Sequence, residues 1–335
     1  MIDELDFALV DALRVDPRAP WSALAAPLGV DPATLSRRWA RLSAQGDAWV
    51  TCYPAADHFD PGRTALVEVE CRAGTATAAA EELAGDGRAV SIEVVTGRAD
   101  LLITVAGLTL DGIGEYVLGR IAAVPGVLRT RTSLVERTLR EGSRWSAGAL
   151  DPGQRAAIAA ARPPVAGDRA PARSVVEDLR LLAALGSDGR MPYSALGQRL
   201  GLPATTARRR LDALRSGGRL VLRCDASPRL TGHPLGTTLW LDLPADQVPA
   251  AARWLSEQPQ TRMCALTLGE ANLVTYVVTH QPAAVRGLEA ELARRFPVCR
   301  VRERQLTLRT AKLVGRVLDA SGRAVGYVPI DPGPV

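Results

Sequence analysis

The chain contains its own first part twice. Displaced by 172 residues it matches itself without a gap, and 17 of the 45 positions from 6 to 50 are identical. Asp6, Leu9, Leu13, Asp16, Arg18 and Pro20 fall on Asp178, Leu181, Leu185, Asp188, Arg190 and Pro192. Ser22-Ala23-Leu24 falls on Ser194-Ala195-Leu196, Leu28-Gly29 on Leu200-Gly201, and Arg37-Arg38 on Arg209-Arg210. Biased composition does not produce a match this long in one register, so the sequence is a tandem duplication. Further along the identity thins but the order holds: Gly97 and Leu101 meet Gly269 and Leu273, and Arg137-Thr138 meets Arg309-Thr310. The 335 residues are therefore two copies of one plan and not a single large core.

Residues 141–174 between the copies are rich in Pro, Ala, Gly and Arg, as a linker is, with a short helix expected where Asp151-Pro152 offers an N-cap and a first-turn proline. Within each copy the first fifty residues (1–50 and 175–224) read as three short helices. Leu5, Leu9 and Leu13 recur at helical spacing until Asp16 to Pro20 breaks them. A second helix closes at Gly29, and Asp31-Pro32 starts a third. Leu35, Trp39 and Leu42 face inward on that third helix, which leaves Thr34, Ser36, Arg37 and Arg41 outside, with Arg38 beside the core, where it suits an ion pair within the domain as well as a phosphate contact. In the copy Ala207, Leu211 and Leu214 face inward, and Thr205, Thr206, Arg208, Arg209, Arg210 and Arg215 are the polar set.

Three short helices with a glycine before the third, and a Thr/Ser/Arg face on it, fit a helix-turn-helix that enters the major groove of double-stranded DNA. Extended segments follow at 51–64 and 225–236, as a wing or linker strand would. Residues 1–50 hold five arginines and seven acids, residues 175–224 nine and four. Phosphate neutralisation dominates affinity for DNA, so the second module is expected to supply most of it. Arginine counts alone say little here, because forty of the 41 cations are arginine and Lys312 is the exception, a skew of the kind a GC-rich genome imposes.

Residues 65–140 and 237–316 change period. Val67, Val69 and Cys71 alternate with Glu68 and Glu70 as in a half-buried strand, and the order strand, helix, two strands, helix, strand follows in both copies. That is a ferredoxin-like βαββαβ unit, so the fold class is α+β: two copies of a (winged) helix-turn-helix domain followed by a ferredoxin-like domain. Helices cover one face of such a sheet and the other must find a partner sheet or solvent, so the two sheets are expected to pack together, within one chain or between chains. Gly97 and Gly269 mark turns that favour a positive φ. Residues 317–335 read as a tail.

This arrangement, with Leu24 to Gly46, its copy Leu196 to Gly218, and the turn Thr96-Gly97-Arg98-Ala99-Asp100, resembles the leucine-responsive/AsnC (Lrp/AsnC) family of bacterial transcription regulators over nearly the whole chain outside the linker and tail. The resemblance implies a sequence-specific DNA-binding regulator, and not an enzyme, that answers to a small effector, usually an amino acid. It implies Gly97 and Asp100 as effector residues, with Gly269 and Asn272 as their counterparts, and homo-oligomers. Family members carry one copy per chain, so this chain makes the equivalent of a dimer internally.

Two rivals share the architecture. Sirohaem decarboxylases, sometimes fusions of two homologous halves, need histidine and arginine around a tetrapyrrole, whereas this chain has three histidines (His58, His233, His280) and no His-His pair before a strand. An effector-binding adaptor would have lost DNA binding in one half. The five cysteines are scattered, with no C-x-x-C pair, so buried thiols are expected, and neither a metal nor a cofactor. No run approaches the about 20 apolar residues that span a bilayer, and Met1-Ile2-Asp3-Glu4 does not resemble a secretory signal, so a cytoplasmic protein without membrane contact is expected.

Overall fold

The computed structural model describes residues 2–55, 63–146, 148–161, 175–232 and 235–333, without the side chains of 144 and 175–179. In chain order the first half runs α1 (Glu4–Val15), α2 (Trp21–Leu28), α3 (Pro32–Ala44), β1 (Ala48–Pro54), β2 (Thr64–Cys71), α4 (Ala76–Leu83), β3 (Ala89–Val95), β4 (Leu101–Ala106), α5 (Leu110–Glu115, continued by the π-helical turn Tyr116–Ile121) and β5 (Val127–Arg140). The connector holds α6 (Pro152–Ala160). The second half runs α7 (Val175–Gly186), α8 (Tyr193–Leu200), α9 (Ala204–Ser216), β6 (Leu220–Ala226), α10 (Pro228–Thr231), β7 (Leu235–Asp242), α11 (Val248–Glu257), β8 (Thr261–Leu268), β9 (Leu273–Thr279), α12 (Pro282–Arg295), β10 (Arg300–Leu313), β11 (Arg316–Leu318) and β12 (Ala324–Tyr327).

Two compact units result, and neither is one copy of the repeat. The first joins Met1–Phe59 to Ser146–Thr231, and the second joins Asp60–Trp145 to Gly232–Val335. Each unit thus takes the corresponding piece of both halves.

In the helical unit, Asp3 and Asp6 form a capping box on α1, Gly29 ends α2 at φ +66°, and Asp31 caps α3 by accepting the Ala33 N–H. Pro203 stands where Asp31 stands in the first copy, so α9 starts without a side-chain cap. Leu9, Leu13, Leu24, Leu35 and Leu42 are fully buried in one helical core, and Leu185, Leu196, Ala207 and Leu211 in the other. The strands expected as wings form a single shared ribbon: β1 pairs antiparallel with β6 from Ala48↔Ala226 to Pro54↔Leu220, which sets the repeat-equivalent residues Thr51 and Arg223 opposite each other on a pseudo-two-fold axis. Strand β1 lies against α7 and β6 against α1, so Cys52 enters the second module's core and Cys224 the first's. The connector is bound as well: α6 begins at the Asp151–Gln154 capping box and buries Ile158, with Leu150, in the first helical core.

In the sheet unit, each copy's four strands take the ferredoxin-like order, β3-β4-β2-β5 and β8-β9-β7-β10. Pairing of β5 with β8 and of β10 with β3, both antiparallel, closes the eight strands into a ring. Closure removes every edge that a lone four-stranded sheet would expose. Helices α4 and α5 cover the outer face of the first sheet over Val67, Ile92 and Ile103, and α11 and α12 cover the second over Leu239, Leu241 and Val277. The inner faces meet in a third core of Leu66, Val95, Leu102, Val135, Trp240, Ala265 and Val274. The segment read as a tail includes the β11–β12 hairpin, which extends the sheet beyond β10.

Candidate DNA interface and effector turns

Helices α3 and α9 close their helix-turn-helix modules. The residues of α9 that share its outer face are Thr205, Arg208, Arg209 and Asp212, all exposed. Arg208 is 68% exposed, pairs with Asp212 one turn on at 3.6 Å and lies 5.9 Å from the ring centre of Tyr193, contacts that at the surface hold it weakly. The same positions of α3 are Ala33, Ser36, Arg37 and Ala40, and here only Arg37 carries a charge, its Nη2 donating to Thr34 Oγ1 at 3.3 Å.

Of the other arginines, Arg38, whose place beside the core suits an ion pair within the domain as well as a phosphate contact, makes the ion pair, whereas Arg41 and Arg215, read as outward, turn to carboxylates. Arg38 Nη1 donates to Asp3 (2.6 Å) and Asp6 (3.0 Å), and Arg41 Nη2 donates to Asp6 at 2.5 Å, with Asp6 fully buried. The Arg38 guanidinium holds the Asp3 carboxyl below the usual carboxylate range. Both arginines are therefore spent on tying α3 to α1, because a buried carboxylate must be paired. Arg215, expected on a phosphate, is turned inward on Asp16 at 3.0 Å, and both are largely buried. Arg210, the repeat equivalent of Arg38, and Thr206 are half-buried. Trp39 and Trp240 are core residues, as their sequence context indicates.

In the sheet unit, Gly97 takes φ +106° between β3 and β4, whereas Gly269 is not among the glycines with positive φ. Gly269 is needed for space instead, since a Cβ there would strike Ser133. Asp100 Oδ2 accepts the Cys71 N–H at 2.7 Å, fastening the turn to the end of β2. Asn272 does the same in the copy: its Oδ1 accepts the Leu243 N–H at 3.2 Å and its Nδ2 donates to the Leu243 carbonyl at 2.7 Å. From the sequence, Asp100 can meet an effector's ammonium group or cap its turn, with Asn272 lacking the charge. The structure shows two equivalent turn fasteners, because an amide bonds this backbone as well as a carboxylate does.

What faces the Gly97 turn comes from the other copy. Glu303 Oε1 accepts the Arg98 N–H at 2.7 Å, Arg98 Nε donates to Glu303 Oε2 at 3.2 Å, and Arg98 Nη2 reaches Glu270 at 3.4 Å. Arg98 and Glu270 are repeat equivalents, so the pseudo-two-fold brings opposite charges together where two identical chains would bring like ones. Below them, between the sheets, Trp240 Nε1 donates to Gln305 Oε1 (2.8 Å), and Gln305 Nε2 donates to Glu68 Oε1 (2.7 Å), with Arg131 Nε 3.5 Å from Glu68 Oε2. Glu303 and Gln305 escaped the sequence reading, and Glu68 entered it only as the polar face of a half-buried strand, whereas it is buried. Their only signal was a charged or amide residue at inward positions of strands whose partner sheet was unknown.

His58 and His233 lie outside the described residues, and His280 is exposed. The cysteines are free thiols, and burial pushes Cys52, Cys224 and Cys264 up to about 12, far from a reactive thiolate. Among the described residues no group of three or more His, Cys, Asp or Glu is placed to hold a metal ion, and no helix is long and apolar enough to cross a membrane.

Comparison with known proteins agrees with this architecture. The AsnC-type helix-turn-helix domain matches twice, at residues 2–43 and 178–215, and the Lrp/AsnC ligand binding domain matches residues 64–145. The chain belongs to the Lrp/AsnC family of DNA-binding transcriptional regulators, in a tandem-duplicated form. Among similar sequences, an uncharacterized HTH-type transcriptional regulator of Pyrococcus abyssi is 26% identical over 145 residues, covering 42% of this chain and 97% of its own length. One from Pyrococcus furiosus is 24% identical over 147 residues, with the same coverages. The relatives are thus about one copy long. The crystal structure of the siroheme decarboxylase NirDL superposes on 96% of this chain and 94% of its own, with a TM-score of 0.57 at 14% identity, which is a likeness of fold alone.

Proposed function

We propose that this regulator reads one bipartite DNA site with both helix-turn-helix modules, the second gripping the backbone and the first adding register, and that it is a regulator and not a decarboxylase. The observation that carries the reading is the outer face of α9. Thr205, Arg208 and Arg209 stand exposed at the place where a helix-turn-helix contacts DNA, while the matching face of α3 offers Ser36 and Arg37. Thr205 and Arg209 are assigned to base edges and Arg208 to phosphate. Thr34, Thr206 and Arg210, half-buried beside these faces, are the flanking DNA-contact candidates. The effector is a small metabolite, an amino acid by class, taken at the β3–β4 turn of Gly97, with Asp100 positioning that turn. Gly269 and Asn272 shape the second turn. Whole chains associate further through a surface that includes exposed Leu110 and Leu118, and the protein works in the cytoplasm.

Selection from a genomic fragment library, with and without each of the twenty amino acids, tests this reading. Enrichment of one bipartite sequence that shifts with an amino acid supports it. A Soret band shift on adding sirohaem, with no DNA enriched, would establish the decarboxylase reading in its place.

A further inference from the structure

We propose that Arg18 and Arg190 are positioning residues that fix the distance between the two DNA-reading helices, so that the chain accepts half-sites at one spacing only. The inference rests on reading both modules as DNA-binding. Arg18 and Arg190 are repeat equivalents, and each sits in the loop that enters the second helix of its own module. Each crosses to the other module. Arg18 donates through Nη1 to the Gly189 carbonyl (2.5 Å) and through Nη2 to the Met191 carbonyl (2.9 Å). Arg190 donates through Nη1 to the Pro17 carbonyl (2.7 Å) and through Nη2 to the Ala19 carbonyl (3.0 Å).

The guanidiniums are also stacked. Arg18 lies 4.7 Å from the ring centre of Tyr193, and Arg190 lies 3.9 Å from that of Trp21. Trp21 and Tyr193 are the first residues of α2 and α8 and are again repeat equivalents. Each arginine therefore grips the loop and the helix start of the opposite module. The planar fork suits this task, since it holds two carbonyls and one ring face at once. Burial, with Arg18 nearby, pushes Arg190 down to about 10, which still leaves it charged at neutral pH.

The grip reaches the reading helices because α2 packs on α3 and α8 on α9. Two further ties act on one side of the axis only. Arg215 in the last turn of α9 pairs with Asp16, where the first copy has Ser43 opposite Asp188 and no charge to pair. The Gly189 N–H donates to the Val50 carbonyl at 2.9 Å, a bond its equivalent Pro17 cannot make. A Cβ on residue 189 would strike Val50, so this approach requires glycine.

A rigid pair of readers has a geometric consequence. Half-sites lie on one face of the duplex when set about one helical turn apart or a multiple of it. Each inserted base pair carries one half-site about 3.4 Å along the axis and about a tenth of a turn around it. A clamped pair then loses one set of contacts, whereas a loosely joined pair adapts.

The test uses the full chain and a DNA duplex that it selects from a random-sequence pool, with 2, 5 or 10 base pairs inserted between the half-sites and binding followed by fluorescence anisotropy. The unmodified chain is expected to lose about tenfold or more in affinity on the 2- and 5-pair insertions and to recover part of it at 10. With Arg18→Gln and Arg190→Gln together, the loss should shrink to about threefold while affinity for a single half-site stays unchanged. Arg18→Lys with Arg190→Lys keeps the charges without the fork and should behave like the glutamine pair. Trp21→Leu with Tyr193→Leu removes the stacking but leaves the carbonyl bonds, and takes the ring from Arg208 as well, which the single half-site affinity reads separately; it serves where the arginine variants fail to fold, and should flatten the profile in part. A spacing profile that stays steep in the folded variants overturns the proposal, as does an unmodified chain that binds all spacings alike. Failure to select any DNA would instead overturn the reading of function on which the proposal rests.

Discussion

Replacing Asp11 by alanine should release the connector from the first helix-turn-helix. Asp11 is fully buried on α1. Its carboxylate accepts from Ser146 Oγ (3.0 Å), the Ala149 N–H (3.1 Å), the Leu150 N–H (3.4 Å) and Arg155 Nη2 (3.1 Å), and Arg14 Nη1 lies 3.7 Å away. Alanine leaves two guanidiniums and two backbone donors facing a hole. Removing one partner of a buried charge pair costs about 3–5 kcal/mol, and each stranded N–H adds about 1 kcal/mol where water cannot reach it. Partial relaxation offsets some of this, so the expected loss is about 4 kcal/mol, or about a thousandfold in the opening equilibrium. Hydrogen exchange followed by mass spectrometry reads that factor directly on peptides from α1 and residues 148–161, without assuming that the two units unfold together. Asp151→Ala, which removes only the exposed cap of α6, should cost about 1 kcal/mol and act on α6 alone. A change below about tenfold for Asp11→Ala would refute the argument that this carboxylate holds the connector.

Other expectations follow from the same geometry. Arg208→Ala should flatten the salt dependence of DNA binding by about 0.9 in the log–log slope, while Arg209→Ala should relax sequence choice at a cost of about 1–3 kcal/mol, both read by anisotropy titration. Arg215→Ala should leave that slope nearly unchanged and lower the melting temperature of the helical unit, because its partner is Asp16 and not phosphate. Gln305→Ala strands Trp240 Nε1 and Glu68 between the sheets and should lower the stability of the sheet unit by about 3 kcal/mol in urea unfolding. Burial pushes the only lysine, Lys312, from its ordinary 10.5 down to about 8, with its Nζ donating to the Asp86 carbonyl at 2.7 Å. Its folded pKa is below the unfolded one, so between about pH 8 and 10.5 the unfolded chain binds more protons and this lysine makes stability rise with pH. The rise should be absent from the stability curve of Lys312→Met and present in the difference between the unmodified chain and that variant, measured by chemical denaturation at pH 7.5, 8.5 and 9.5.

The sequence alone determined the duplication, the element order and the family, because each is written in local signals. Asp31-Pro32 starts a helix, Gly29 and Gly201 end one, and Val67-Glu68-Val69-Glu70-Cys71 alternates as a strand with one covered face. It also marked Thr205, Arg208 and Arg209 as a polar face, since helical periodicity shows which side a core leaves over. Partners across the pseudo-two-fold axis carry no such signal. Arg18 looks like any loop arginine until Gly189, Met191 and Tyr193 are brought to it from 171 to 175 positions away. Arg41 and Arg215 look like surface cations until Asp6 and Asp16 are placed beside them. Asp100 reads equally as an effector's partner or a turn cap until the end of β2 is seen to bond it. Periodicity reports which way a side chain faces along its own element, while the charge or backbone group that meets it depends on how distant elements close. Here closure exchanged strands between the two copies and joined their sheets into a ring, and only the tertiary structure could decide that.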